Sequence, residues 1–337
     1  RLNLLVSGEV REQDWDQPGE WATLIRYARY RRPAASDEAQ LAVAAGELSG
    51  VSLGFGALVD GYASGLDINH RHLGAHVRAY ASRFGATAMI DDVVSPRLIA
   101  ARAYHRPWRQ LYLGAQVVTD LSAPTMEGNE ATVGAAGDVA WAFRSRGKPW
   151  WVESYAQLAT WVGRGSGTHL GARGQTRFGL WTLAAHVDGQ LGSRSYLAGA
   201  VDALYERTRY LLGDGLSLVD RSDRGGLAGL GGVARASVAR LGLGSIQLGG
   251  GHRSGLGARF DARVASAERA RFQVAMTTAY QGVSGSDAAW MMASELRVRL
   301  PLRLYASAQA ARLYRRTGDE IAPAWWLVAT LGTVLGE

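Results

Sequence analysis

Arginine is the residue type in this chain with the most to say about chemistry. Lys148 is the single lysine among 37 basic residues, so nearly all of the cationic charge behind the net +7 is guanidinium. A guanidinium stays protonated in a crowded passage and offers a planar fork of donors to carboxylates and phosphates. The arginines do not gather on one helix or in a tail, as a nucleic-acid surface would require, and no nucleic-acid partner is expected. They recur instead inside apolar–polar alternations, at Arg78, Arg102, Arg173, Arg177, Arg259, Arg263, Arg297, Arg299 and Arg303, with His72 and His76 in the same set. Lining a water-filled passage, such residues raise the local anion concentration and favour anion passage. The acids Asp120, Asp138, Glu153, Asp188, Asp261 and Glu295 fall on the same faces. Triplets such as Arg259-x-Asp261-x-Arg263 therefore suit ion pairs that stiffen a wall equally well. Selectivity filter and stiffened wall are both open at this point.

Other chemistry finds less support. The chain has no cysteine, which excludes disulfides, thiolate metal sites and a cysteine nucleophile. His72 and His76 share a face, but four residues along a strand separate them by about 13 Å, too far for one ion. No metal or cofactor is expected. His186 and Asp188 are the nearest thing to a hydrolase pair, while His105, His169 and His252 are unplaced. No arrangement singles out a nucleophile, so no catalytic residue is assigned. The glycine runs Gly225-Gly226-Leu227-Ala228-Gly229 and Gly249-Gly250-Gly251 lack the strand–loop–helix setting and the lysine of a phosphate loop. They read as places where strands bend or pack closely.

The elements that must carry these residues are strands. Leu111, Leu113, Ala115 and Val117 alternate with Tyr112, Gln116 and Asp120; Val133, Ala135, Val139, Trp141 and Phe143 lie opposite Gly134, Ala136 and Asp138. Trp150, Val152, Ala156 and Leu158 oppose Glu153, Tyr155 and Gln157, and the same period of two returns in Leu256–Val264, Phe272–Tyr280 and Trp290–Leu300. Turn-forming clusters such as Arg146-Gly147-Lys148-Pro149 and Thr317-Gly318-Asp319 punctuate these runs. Their spacing of about 20 residues is a membrane-length strand plus a loop. The count is about 16 strands (14–18), and no linker or composition shift divides residues 1–337, so one domain is expected.

A soluble barrel of that size would turn its apolar face inward, and its polar face would meet bulk water. Runs of ten or more residues with Arg, His, Glu and Gln on one face fit the inverse arrangement, lipid outside and water inside. The fold expected is all-β, an antiparallel up-and-down transmembrane β-barrel. Trp108, Trp150, Trp151, Trp161, Trp290, Trp325 and Trp326, near strand ends, are expected to form interfacial girdles. The uncharged stretch Ile321–Gly336 contains Pro323 and reads as a strand with turns, not a spanning helix. The start at Arg1 without methionine or signal peptide is what a processed exported chain looks like. The segment Asp60–Asp67 is expected to be a loop that folds inward and narrows a pore.

The stretches Leu53-Gly54-Phe55-Gly56-Ala57-Leu58-Val59-Asp60-Gly61-Tyr62 and Asp202-Ala203-Leu204-Tyr205-Glu206-Arg207 resemble uncharacterised outer-membrane barrels of bacteria, and the overall pattern is similar to porin-like barrels. The resemblance implies a bacterial outer-membrane location and a pore, and it carries over no functional residue. One departure is the end at Val334-Leu335-Gly336-Glu337, where such barrels usually close on an aromatic residue. The function expected is passive passage of small, preferably anionic, solutes through an arginine-rich lumen. The competing expectation is a scaffold barrel with a blocked lumen inside a multiprotein envelope complex, and an outer-membrane hydrolase stands third. Expected partners are membrane lipid, with envelope proteins or further copies of the chain beyond that.

Overall fold

Alternation becomes antiparallel pairing in the computed structural model. It describes residues 27–32, 40–48, 50–64, 72–125, 128–144, 149–178, 181–193, 195–196, 198–202, 205–206, 227–238, 245–253, 257–265, 272–281, 289–299, 304–317 and 320–333. The strands are β1 (Tyr27–Arg32), β2 (Gln40–Gly46), β3 (Val59–Asp60), β4 (Gly74–Tyr80), β5 (Phe84–Ile90), β6 (Leu98–His105), β7 (Leu111–Thr125), β8 (Gly128–Arg144), β9 (Trp150–Trp161) and β10 (Gly165–Phe178). They continue with β11 (Trp181–Gly192), β12 (Val201–Asp202), β13 (Leu227–Val238), β14 (Ser245–Arg253), β15 (Gly257–Ala265), β16 (Phe272–Gln281), β17 (Ala289–Arg299), β18 (Leu304–Thr317) and β19 (Glu320–Thr333). Seventeen of them, all but β3 and β12, form one sheet among the described residues. Each pairs antiparallel with the next sheet strand in sequence, from β1–β2 and β2–β4 through β11–β13 to β18–β19. That is the up-and-down barrel order. The spacing of the alternations predicts about 16 strands, and 17 falls within the expected range.

The two faces divide as lipid and water would require. On β7 to β11, Leu113, Val117, Val133, Val139, Phe143, Val152, Leu158, Leu170 and Val187 stand exposed on the outer face. Gln116, Asp120, Asp138, Glu153, Gln157, His169, Asp188 and Gln190, one residue out of phase, are buried on the inner face. β7, β8 and β10 run for 15, 17 and 14 residues, more than the 9–11 or so needed to cross a bilayer at a tilt. Among the described residues no helix is long and apolar enough to cross a membrane.

The polar residues are buried because two connections fold in over them. Residues 47–64, between β2 and β4, make a hairpin-like excursion closed by the Val51–Tyr62 bridge, with N–H···O bonds of 3.0 and 2.8 Å. After β11, the described residues 193, 195–196, 198–202 and 205–206 lie beside it. β3 and β12 pair in parallel, Val59 with Val201 and Asp60 with Asp202. The Gly199 and Val201 amides donate to the carbonyls of Ala57 and Leu58. Leu53, Leu58, Val59, Tyr62, Tyr196 and Val201 form one apolar cluster with Met89, Leu98, Val118, Ala136, Ala159 and Trp161. The last six come from β5, β6, β7, β8 and β9, so five strands curve round a single body. We refer to the described residues within 47–64 and 193–206 as the plug. Burying a Leu or Val there contributes about 1.5–3 kcal/mol relative to exposure.

Trp161 corrects one expectation. It is not part of an interfacial girdle: it is buried within the plug cluster, because it closes β9 on the inner phase shared with Gln157 and Ala159. Trp108 and Trp150 are exposed, as a girdle needs. The inward loop expected at Asp60–Asp67 is described only as far as Ser64, and it belongs to a larger excursion that starts at residue 47.

Candidate functional site

The inner wall next to the plug tip holds the densest polar chemistry in the described part of the chain. Arg102 on β6 reaches over β7 to Asp138 on β8, with Nη2 to Oδ1 at 2.7 Å and Nε to Oδ2 at 3.4 Å. The intervening strand permits this because it carries Gly114 at the crossing. A Cβ there would stand 2.6 Å from Arg102 Nη2 and 2.6 Å from both Asp138 oxygens. Gly114→Ala is therefore expected to split the bridge and lower stability by roughly 1–3 kcal/mol, read as a lower midpoint in denaturant unfolding of the folded barrel.

A second ion pair sits across the β9–β10 ladder, where Arg173 faces Glu153 in register. Arg173 Nε donates to Glu153 Oε2 at 2.6 Å. Its guanidinium also lies 4.5 Å from the ring centroid of Phe55 at the plug tip, and Phe55 stacks on Tyr155 with ring centroids 3.9 Å apart and planes 4° from parallel. Phe55 is thus clamped between a cation and an aromatic face of the wall. Tyr155 Oη in turn meets His186 Nε2 at 2.6 Å.

Further along, wall and plug are tied by hydrogen bonds. His169 Nδ1 lies 3.3 Å from Asp188, and its Nε2 lies 2.7 Å from the hydroxyl of Tyr196. Gln190 donates to the same Asp188 carboxylate at 2.7 Å. Tyr205 donates to Asp120 at the register shift in β7, and Tyr62 donates to Glu206 at 2.6 Å. Burial, with Glu206 beside it, holds the Tyr62 phenol well above its usual range, so it acts as a donor. In the β5–β6 turn, Asp91 accepts from the amides of Arg97 and Leu98 at 3.0 and 2.8 Å. Burial raises the Asp91 pKa against those hydrogen bonds.

The sequence-derived set separates on this wall. Arg102 and Arg173 come together near the tip, each already paired with a carboxylate. Arg78 is exposed on β4, and no carboxylate pairs with it among the described residues. It shares a phase with Tyr80, which begins a tyrosine row through Tyr104 to Tyr112 with centroids 6.4 and 5.9 Å apart. His76 is half-buried on the same strand. His72 lies just before β4, 3.2 Å from Asp92, with burial as the main influence holding its pKa down. Arg177, Arg259, Arg263, Arg297 and Arg299 fall within β10, β15 and β17, with side chains outside the described part. Arg303, Gly225-Gly226 and residues 65–67 lie outside the described residues altogether. His186 and Asp188 share a face; His186 meets Tyr155 Oη, and Asp188 accepts from Gln190 and lies 3.3 Å from His169. No three His, Asp or Glu side chains group as a metal site among the described residues.

The plug is what sequence reasoning saw least of. Phe55, Tyr196 and Tyr205 meet Tyr155, His169 and Asp120, which lie far off along the chain, and the signals were the stretches 53–62 and 202–207 that resemble outer-membrane barrels.

No family model and no curated protein matches the chain. Among solved structures, the outer membrane protein OpdK from Pseudomonas aeruginosa is similar over 91% of this chain and 92% of its own length, at 12% identity and a TM-score of 0.43. A BenF-like porin from Pseudomonas fluorescens Pf-5 is similar over 91% and 96%, at 10% identity and a TM-score of 0.44. OccK2 (OpdF) of Pseudomonas aeruginosa, in complex with glucuronate, is similar over 92% and 96%, at 12% identity and a TM-score of 0.41. Over most of its length, what this chain is similar to is outer-membrane porins.

Proposed function

We propose that this chain is a passive channel of a bacterial outer membrane, one barrel domain across residues 1–337, which passes small solutes and leans towards anions. The observation that carries the reading is the division of β7 to β11 into an apolar outer face and a polar inner one, the signature of a barrel with lipid outside and a polar lumen. β2 and β11, which precede the two longest intervals between sheet strands, end at the same end of the sheet, which by the usual asymmetry of such barrels faces outward. The plug then narrows the passage on the entry side. Arg78, exposed on the inner phase, and the excess of arginine over acid supply a positive field. Membrane lipid is the partner this reading requires, and further copies of the chain or envelope proteins are compatible with it.

The test is the reversal potential of the purified protein in planar bilayers under a potassium chloride gradient. Anion-preferring steps whose reversal potential moves towards zero in Arg78→Ser, and further when Arg297→Ser is added, support the arginine contribution. A potential unchanged in both variants removes it.

A second reading, a scaffold barrel with a blocked lumen, is favoured by one observation. Ala57, Leu58, Val59, Tyr62 and Val201 of the plug are wholly shielded from solvent. Silent insertion of correctly folded protein would select that reading.

A further inference from the structure

Two glutamines of the inner wall take no part in the bonding described above. Gln116 on β7 is 5% exposed and Gln157 on β9 is 1% exposed. Among the described residues, neither the amide nitrogen nor the amide oxygen of either side chain meets a hydrogen-bond partner. An unpaired buried polar group is costly because its lost hydration is not replaced, so this pair makes the closed arrangement less stable than it would otherwise be.

Their cover is the tip of the plug. Gly54 has φ +60°, and a Cβ on it would stand 3.0 Å from Arg102 Nε, 3.2 Å from Gln116 Oε1 and 3.3 Å from Gln157 Nε2. Both amides thus converge under one glycine Cα, which returns no hydrogen bond to them. The neighbouring charges are already cancelled, Arg102 by Asp138 and Arg173 by Glu153. What faces the tip is the two amides, each with a donor and an acceptor, beside the Arg102 Nε whose guanidinium Asp138 already engages. A carboxylate or phosphate would find no unpaired cation there and could use only the amide donors, leaving both amide oxygens unpaired. An apolar group would leave all four amide groups unpaired. Adjacent hydroxyls, each both donor and acceptor, match the set.

We propose that Gln116 and Gln157 form a binding subsite for uncharged, hydroxyl-rich solutes of the sugar or polyol class, covered at rest by the Gly54-Phe55-Gly56 turn that the solute displaces. The site's place on a permeation path rests on the channel reading; its binding chemistry does not. The turn is built to move. Gly54 and Gly56 both hold left-handed φ values, +60° and +88°, which a glycine enters and leaves at little steric cost. Its lock is the clamp on Phe55 between Tyr155 and Arg173. Bound solute satisfies the amides that the tip leaves unpaired, which is the differential interaction an opening equilibrium needs.

The experiment is isothermal titration calorimetry of the full chain folded in detergent, with sucrose, myo-inositol and sodium gluconate as probes. Saturable binding of sucrose or myo-inositol is expected, with gluconate no tighter. Gln116→Leu and Gln157→Leu should each weaken it by about tenfold or more. Phe55→Ala should tighten it, because the apparent Kd falls as the open fraction grows. Leucine removes an unpaired buried amide, so the unfolding midpoints of both leucine variants should hold or rise, which separates loss of a site from loss of the fold. No saturable heat with either neutral probe, or affinity unchanged in both leucine variants, overturns the proposal. Conductance on the same preparation is a separate readout. Silent bilayers with saturable binding sink the channel reading and leave the site standing; conducting bilayers without binding do the reverse.

Discussion

Replacing residues 52–60 by a short glycine–serine linker raises the single-channel conductance severalfold, while the barrel keeps its heat-modifiable migration in gels. The reasoning is geometric. Leu53, Phe55, Leu58 and Val59 contribute plug side chains that contact the inner wall or one another. Val51 and Tyr62 remain to close the excursion at its base. A barrel of about 16 strands without such filling encloses an aqueous channel. The fold should survive, because residues 52–60 carry only the two-residue β3–β12 pairing and every strand of the 17-stranded sheet keeps its neighbours. Conductance unchanged by the replacement would mean that the narrowest point lies elsewhere.

The second large effect concerns the Arg102–Asp138 bridge. Asp138 has a side chain with no exposure and Arg102 is 14% exposed, so solvent screens the pair little. Arg102→Met leaves an unpaired buried carboxylate and should lower stability by roughly 3–5 kcal/mol. The double variant Arg102→Met/Asp138→Leu should recover most of that loss, since exchanging a buried pair for apolar residues is often neutral or better. A double variant as unstable as the single would show that the loss comes from packing and not from stranding a charge. The comparison also bears on anion preference. If the double variant conducts with unchanged selectivity, this arginine stiffens the wall and does not select ions.

That outcome separates the two roles left open for the arginines, and it shows where sequence reasoning reaches its limit. Leu113 and Val117 against Gln116 and Asp120 announce both the strand and its faces, because a period of two with opposite polarity on the two sides has no other economical explanation. The same holds for Val139 and Phe143 against Asp138, and for Leu158 against Gln157. β5 and β6 are harder to see: β5 sets Ala86 and Ala88 against Gly85 and Thr87, β6 carries alanine on both faces, and the alternation in polarity is shallow. The Arg102–Asp138 bridge was beyond reach for a different reason. It joins strands that are not neighbours, and only the register of β6, β7 and β8 with Gly114 between them brings the two side chains together.

The plug was legible only as an anomaly. The runs Leu53–Tyr62 and Asp202–Arg207 stand out through their resemblance to outer-membrane barrels, and Asp60–Asp67 as an inward loop, but none of this says what buries the plug. The partner of the first run, Tyr196 to Glu206, lies more than a hundred residues away, and the β3–β12 pairing is two residues long. No local period survives at that length. Trp161 misled for a related reason. An aromatic at a strand end is what an interfacial girdle looks like, and only the phase of β9 tells an outward tryptophan from one turned onto the plug.

The claim on which everything above depends is that the plug tip lies inside the barrel against the wall of β9 and β10. The chain contains no cysteine, so a pair introduced as Phe55→Cys/Arg173→Cys can be probed without background. We would treat the folded double variant, in membranes, with a short bis-thiol-reactive linker and map the product by proteolysis and mass spectrometry. An intramolecular bridge between positions 55 and 173, formed in good yield and absent from the urea-unfolded protein, is the predicted result. Folded barrel in which both thiols react singly with a monofunctional reagent but never bridge would contradict it, and the constricted lumen would have to be abandoned.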